Sequence, residues 1–303
     1  MRAERAGSLD PSVHVFVGKG GVGKTTCSAA TAVHFAGRGE PTLAISTDPT
    51  PSLSHIFEVE RAAGVRRVAS GLSILELGVD AIRQMWDERF GREVYAVFSA
   101  FVDVEYDVFV EFMTSLLPGL NEEFMVDYIR RLHEGEEYRH IVWDTAPLGQ
   151  TLALLETPAL LGEHLKMAPR IYSRLRASRA RRESVMAVLG RWTALADTCM
   201  TFLRQAVTFS MVTIPEALAV LQLADVSREL ERYDLRVRRL IVNNVVKTRD
   251  SEFLRSKATQ QAPQLERLRE LFPRLPLHEV PLFPYELRGR ERLEPLADVL
   301  YAS

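Results

Sequence analysis

Cysteine is scarce. Cys27 and Cys199 are the only two in 303 residues, and no C-x-x-C occurs. That excludes a disulfide framework and a cysteine-built zinc site. The seven histidines never fall at H-x-x-x-H spacing, so a helical metal pair is not expected. Neither sign of charge dominates: 38 Lys and Arg against 40 Asp and Glu leave a formal net charge of −2. A nucleic-acid binder is usually basic, and this balance argues against that class. No run of about 18 apolar residues is present, so no membrane-spanning helix is expected. The opening MRAERAGSLDPS is polar and lacks the apolar core of a secretory signal. Internal repeats and low-complexity linkers are missing too. The expectation is a soluble cytoplasmic protein, long enough for one large core with an inserted subdomain.

What is present is an alternation of short apolar runs and helical patterns. VHVFV (Val13–Val17) leads into a glycine-rich loop. The alanine-rich stretch from Thr25 reads as a helix ending at Gly37 or Gly39. Thr42–Ser46 then reads as a second strand, completing a βαβ unit. Further strands are predicted at Ser73–Leu77, Ile141–Trp143, Val207–Ile214 and Leu240–Val246. Strands alternating with helices predict an α/β fold, a doubly wound and mostly parallel sheet covered on both faces. Two stretches break the alternation. Ile82, Met85, Trp86, Phe90, Val94, Val97 and Phe98 recur at helical spacing, as do Val185 through Leu203. The sequence therefore predicts a helical subdomain at about 81–135 and 156–205. It is inserted into a core at about 13–80, 136–155 and 206–303.

The chemistry concentrates in GKGGVGKTT, Gly18–Thr26, which fits G-x-x-x-x-G-K-[ST] between a strand and a helix. This is the arrangement that binds nucleoside triphosphates. Backbone N–H groups of Gly20, Gly21, Val22, Gly23 and Lys24 are placed to cradle phosphates, aided by the positive helix end. Lys24 would neutralise the β- and γ-phosphates of ATP, and the Thr25 hydroxyl would bind Mg²⁺. Asp48 and Asp144 each follow a strand, at the sheet edge where open α/β folds bind ligands. Either could order magnesium-bound waters, and one could orient the attacking water. A second lysine, Lys19, beside the first glycine, is not required by an ordinary phosphate loop.

These residues carry a resemblance. Lys19 with Lys24 looks like the deviant phosphate loop of the MinD, ParA and nitrogenase-iron-protein class. More closely, the chain resembles the family of arsenite-pump ATPases and tail-anchored-protein targeting ATPases. GKGGVGKTT, STDPTPSLSHIF, PGLNEE, WDTAPLGQTLALLETP, IPEALAV, VNNVV and VPLFPYELRG occur in that family's order and spacing. They span the chain from about residue 13 to its end. The resemblance implies an ATP hydrolase in which Lys19 reaches the nucleotide of a facing copy. With one phosphate loop per chain, that requires a homodimer. It also implies that Asp48 positions the attacking water and that Asp144–Gln150 couples nucleotide state to the helical subdomain. Asn243 would contact adenine, and the loop from Pro281 to Arg288 would flank the base. Gly18 to Thr26, Thr26 included, then forms the cofactor-binding loop, and Thr25, Asp48 and Asp144 the magnesium set.

The chain departs from that family in places. The eukaryotic targeting factors' zinc-binding C-x-x-C is missing, so no zinc is expected. Cys27 and Cys199 do not form the cysteine cluster of arsenite-stimulated members. Thr50-Pro51, Asn121 and Gln222–Asp225 differ from the common family residues. The resemblance implies an apolar groove for hydrophobic, tail-anchored membrane-protein segments, with Met113, Met125, Met167, Met186, Met200, Leu116, Leu117 and Leu120 as candidates. The basic stretch 166–182 is read as a solvated face or as a surface for anionic partners. Two other readings stay open: an arsenite- or anion-transport-energising subunit, and a MinD- or ParA-like regulatory switch. The end of the chain, RLEPLADVLYAS, lacks a basic amphipathic anchor of the MinD kind.

Overall fold

The computed structural model describes residues 13–47, 52–99, 103–116, 120–144 and 179–302. Its strands are β1 Val13–Val17, β2 Thr42–Ser46, β3 Arg66–Ala69, β4 Leu72–Glu76, β5 His140–Asp144, β6 Val207–Thr213, β7 Val237–Val245 and β8 Leu277–Pro281. The helices are α1 Lys24–Gly37, α2 Leu53–Ile56, α3 Val79–Trp86, α4 Arg92–Phe98, α5 Tyr106–Leu116 and α6 Leu120–Glu134. After the break come α7 Arg179–Gln205, α8 Ala217–Arg232, α9 Glu252–Leu271 and α10 Arg290–Tyr301.

All eight strands form one sheet, ordered β3-β4-β2-β5-β1-β6-β7-β8. Every pairing is parallel except β3 with β4. The doubly wound α/β sheet is as the sequence predicts, with two additions. β3 carries Arg66 and Arg67 and sits at the edge, where one side of a strand can face water. β8 reads LHEVP, too polar to signal a strand on its own.

Parallel strands alternate their side chains between two helix-covered faces. On one face Val13, Val15, Leu43, Ile45, Trp143, Phe209 and Val242 pack with residues of α3, α5, α6, α7 and α8, among them Trp86, Phe109, Ile129, Leu203 and Leu223. On the other, Phe16, Ala44, Val142, Val212, Ile241 and Val280 meet α1 and α10. α1 lies close because its buried positions are small, including Ala29, Ala30 and Ala32. The helices described between residues 79 and 134, and α7, thus join the sheet's own hydrophobic core. This burial corrects one expectation. Met125 is fully buried and Met200 packs against the core, so Met125 cannot line a client groove. The side chains of Met113 and Met186, and all of Met167, Leu117 and residues 166–178, lie outside the described residues.

A π-helical turn, Asp87–Gly91, interrupts the run from α3 to α4. Tyr106 donates to the Asp87 carboxylate there, and Arg92 lies 3.9 Å from the Tyr106 ring centroid. A side chain at Gly91 would collide with both Asp87 and Tyr106, so the extra residue is accommodated around a glycine.

Candidate functional site

The carboxyl edge of the sheet gathers most of the chemistry-bearing residues. β1 runs straight into the phosphate loop, and α1 leaves it at Lys24. Gly18 has φ +153° and backs onto β6, where a Cβ would overlap the Val212 carbonyl. Gly23 caps α1 with φ +96°, and a Cβ there would strike Asn243. These two positions need glycine for space and for backbone angle together. Val22, 2% exposed, pins the turn between them.

Asn243 lies at the carboxyl end of β7 and is buried. Its Nδ2 donates to the Val22 carbonyl (3.0 Å), while its Oδ1 accepts from the Asn244 backbone N–H (2.9 Å). The side chain that the resemblance assigns to the base therefore also fastens the phosphate loop to the sheet. Lys24 Nζ donates to the Lys19 carbonyl (3.0 Å), drawing its ammonium back over the loop. The Lys19 side chain is exposed.

Parallel register places Phe16, Ser46 and Asp144 side by side on β1, β2 and β5. Asp144 is 3% exposed and lies between the strand feeding the phosphate loop and the strand feeding residue 48. The Thr47 N–H donates to the Asp144 carbonyl (3.4 Å). Asp48 itself, like residues 145–150, lies outside the described residues. Among those described, the buried Thr47 Oγ1 has no hydrogen-bond partner. A magnesium ion suits this donor set. Thr25 offers a hydroxyl, Asp144 a buried carboxylate, and Thr47 an unsatisfied buried oxygen at the same edge.

Beside the loop is a cavity of about 400 Å³, of the size that holds a small ligand. Gly21, Gly23, Thr26 and Asn243 form one wall. His55 and Ile56 of α2 face them, and Phe283, Tyr285 and Arg288 close the far side. Pro281 ends β8 next to this wall, and the following Leu282 donates its N–H to the Val245 carbonyl (2.9 Å). The Phe283 and Tyr285 rings lie 5.6 Å apart, and the Arg292 guanidinium lies 5.6 Å from the Tyr285 ring.

Sequence reasoning missed what holds the α2 wall. Glu76, at the end of β4 and 8% exposed, accepts from the backbone N–H of Leu53 (2.8 Å) and of Ser54 (3.1 Å). At its other end α2 is tied by Gly289 N–H to the Ile56 carbonyl (2.7 Å) and by Arg288 Nε to the His55 carbonyl (3.3 Å). Ser46 and Ser52 meet hydroxyl to hydroxyl at 3.1 Å, so both described ends of the 48–51 segment are fastened to the same edge. A glutamate after an apolar strand carries no motif, and only the fold reveals its task. Glu76→Leu is expected to strand two buried N–H groups and destabilise the fold by about 3 kcal/mol. Glu76→Gln retains the acceptor and should cost less than about 1 kcal/mol. Thermal unfolding of both variants checks this, and equal losses would contradict it.

The cysteines fall on opposite faces of the sheet. Cys27 lies in the core under α1 and Cys199 in the core under α7, both buried. Burial pushes the Cys27 thiol up to about 12. The two sulfurs cannot share an ion within one chain. No group of three or more His, Cys, Asp or Glu among the described residues is placed to hold a metal.

A parallel sheet whose first strand turns through a glycine loop into a helix, with a buried aspartate on the neighbouring strand, defines a P-loop nucleotide hydrolase. The family model described as anion-transporting ATPase matches residues 12–302, and the chain belongs to that family. It is an ATPase. It is 31% identical to ATPase GET3B of Arabidopsis thaliana, across 94% of this chain and 77% of that protein. It is 27% identical to ATPase GET3 of Podospora anserina, across 94% and 89%. An Aquifex aeolicus ATPase named for driving an arsenical pump is 27% identical, across 95% and 98%. Among the described residues no helix is long and apolar enough to cross a membrane.

Proposed function

We propose that the protein is a magnesium-dependent ATPase that works as an ATP-switched homodimer in the cytoplasm and shields hydrophobic segments of membrane proteins, such as tail anchors. The observation that carries the dimer is the pair of lysines in one loop. Lys24 folds back onto the loop, whereas Lys19, five residues earlier, is exposed. An exposed cation in the phosphate loop suits a phosphate presented by a facing copy.

In this reading Lys24 and the loop N–H groups hold the triphosphate. Thr25, with Asp144 and Asp48 through water, holds the magnesium ion, which when bound offsets charge on the β- and γ-phosphates. Asp48 orients the attacking water, and Lys19 of the facing copy stabilises charge on the transferred group. Asn243 serves twice, bracing the loop and bordering the base, with the Pro281–Arg288 segment on the other side.

The transport-energising reading is the weaker one for a chemical reason. Arsenite is held by thiolates, and the two cysteines of this chain are buried on opposite sheet faces, one with its thiol held protonated. The similarity to the GET3 ATPases, across 92–94% of this chain, supports the client reading. Its test is co-expression of the Asp48→Asn protein with a tail-anchored protein and with a version lacking the apolar helix. The ATP-loaded dimer is expected to co-elute with the intact test protein alone on a sizing column. Recovery of neither or of both alike would count against it.

A further inference from the structure

A sheet face covered by helices should be apolar from edge to edge. The α1/α10 face obeys this only in its upper half, where Phe16, Val142, Val212, Ile241 and Val280 lie. Two residues earlier on the same five strands, and so on the same face, stand His14, His140, Ser210, Arg239 and His278. Thr208 continues the row on β6, level with His14, and Ser210 is level with Arg239. His140, Thr208 and Ser210 are each at most 5% exposed. A polar belt five strands wide, buried at His140, Thr208 and Ser210 and half-buried at His14, Arg239 and His278, calls for partners.

Some partners are internal. His14 Nε2 lies 3.1 Å from His140 Nδ1, and His140 Nε2 lies 2.6 Å from Glu40. Arg239 donates to Ser210 Oγ (3.1 Å), the Leu300 carbonyl (2.8 Å) and the Tyr301 hydroxyl (2.9 Å). Those bonds lock its guanidinium in place and use three of its five N–H groups, leaving two for a ligand. The belt does not close on itself. Beside the last turns of α1 and α10 a cavity of about 360 Å³ remains, lined by His14, Ser210, Arg239 and His278 and bordered by Phe35, which stacks on His14, and Tyr301, which lies over Arg239.

Its charge is one-sided. Arg38, Arg238 and Arg239 all border it. Glu40 is engaged by Arg38 (3.0 Å) and His140, and Asp298, near His34, is exposed. Burial first, then Arg239, holds His278 below the ordinary imidazole pKa, and burial, His140, Arg239 and Arg238 take His14 to about 3. Neutral imidazoles, hydroxyls and pinned guanidinium groups supply donors in excess, and ring walls supply apolar contact.

We propose that this cavity is a second ligand site, separate from the nucleotide site, for a small organic anion bearing a phosphoryl or carboxylate group. The 14 residues of α1 separate the two sites by about 20 Å at 1.5 Å per residue.

The test uses the full chain with its phosphate loop saturated by a non-hydrolysable ATP analogue and magnesium, and in parallel the Lys24→Ala protein. Inorganic phosphate, phenyl phosphate and benzoate are titrated calorimetrically. At least one aromatic anion is expected to bind one-to-one with Kd of about 1 mM or tighter, and the stronger of the two names the recognised group. The double variant Arg238→Gln, His278→Gln should weaken it roughly tenfold or more. A readout needing no variant is the imidazole resonances. Those of His14, His34 and His278 should move on titration, while that of His55, at the nucleotide cavity, stays. Absence of saturable binding below about 10 mM for all three probes, or movement of His55 instead, overturns the proposal.

Discussion

Asp48→Asn is expected to bind ATP with near wild-type affinity and to hydrolyse it at least about a hundredfold more slowly, the usual effect of removing a positioned base. The reasoning runs from the sheet. β2 delivers the chain to the carboxyl edge with Ser46 level with Asp144, and Thr47 is bonded to that aspartate's carbonyl. The segment is caught again at Ser52 and at α2 by Glu76. Both ends lie at the edge where the phosphate loop opens, and Asp48 is the one carboxylate between them. The isosteric amide preserves shape and removes the charge, so binding and chemistry should separate. Titration of a non-hydrolysable analogue gives the first and single-turnover kinetics the second. Normal turnover would remove Asp48 from the mechanism.

Lys19→Ala should have an effect of similar or larger size. Loss of a cation supplied across an interface to a transferring phosphoryl group typically reduces hydrolysis by about a thousandfold or more. Its signature is a fall in kcat with little change in affinity, because Lys24 and the loop N–H groups still hold the nucleotide. Lys24→Ala should instead weaken binding itself. If Lys19→Ala raised only KM, Lys19 would belong to the ground-state phosphate cradle and not to the transition state.

The fold was legible where local chemistry and tertiary need agree. Strands buried on both faces read as apolar runs, so β1, β2, β4, β5, β6 and β7 were found to within a residue or three. β3 and β8 were not, because Arg66 and Arg67 on an edge strand, and His278 and Glu279 in LHEVP, interrupt the apolar run that marks a buried strand. The phosphate loop was legible because glycine at 18 and 23 is dictated by backbone geometry. Glu76 and the bond from Asn243 to Val22 were not, since each acts on a backbone distant in sequence. The polar belt shows the same limit. His14, Arg239 and His278 look unrelated in the chain and become neighbours only through strand order. Met125 erred the other way: the resemblance offers a methionine of α6 as a groove candidate, and only the fold shows that it meets the sheet.

The central claim is that each ATP is hydrolysed by two copies of the chain. Mixing Lys19→Ala protein with Asp48→Asn protein tests it most directly. Neither variant alone should turn over ATP. In a mixed dimer, the Lys19→Ala copy keeps its own Asp48 and receives Lys19 from the other copy, so one site of two is complete. With random pairing, half the dimers are mixed, and roughly a quarter of wild-type activity should return. No recovery in dimers shown to have exchanged subunits would mean that Lys19 serves its own loop, and would contradict the account.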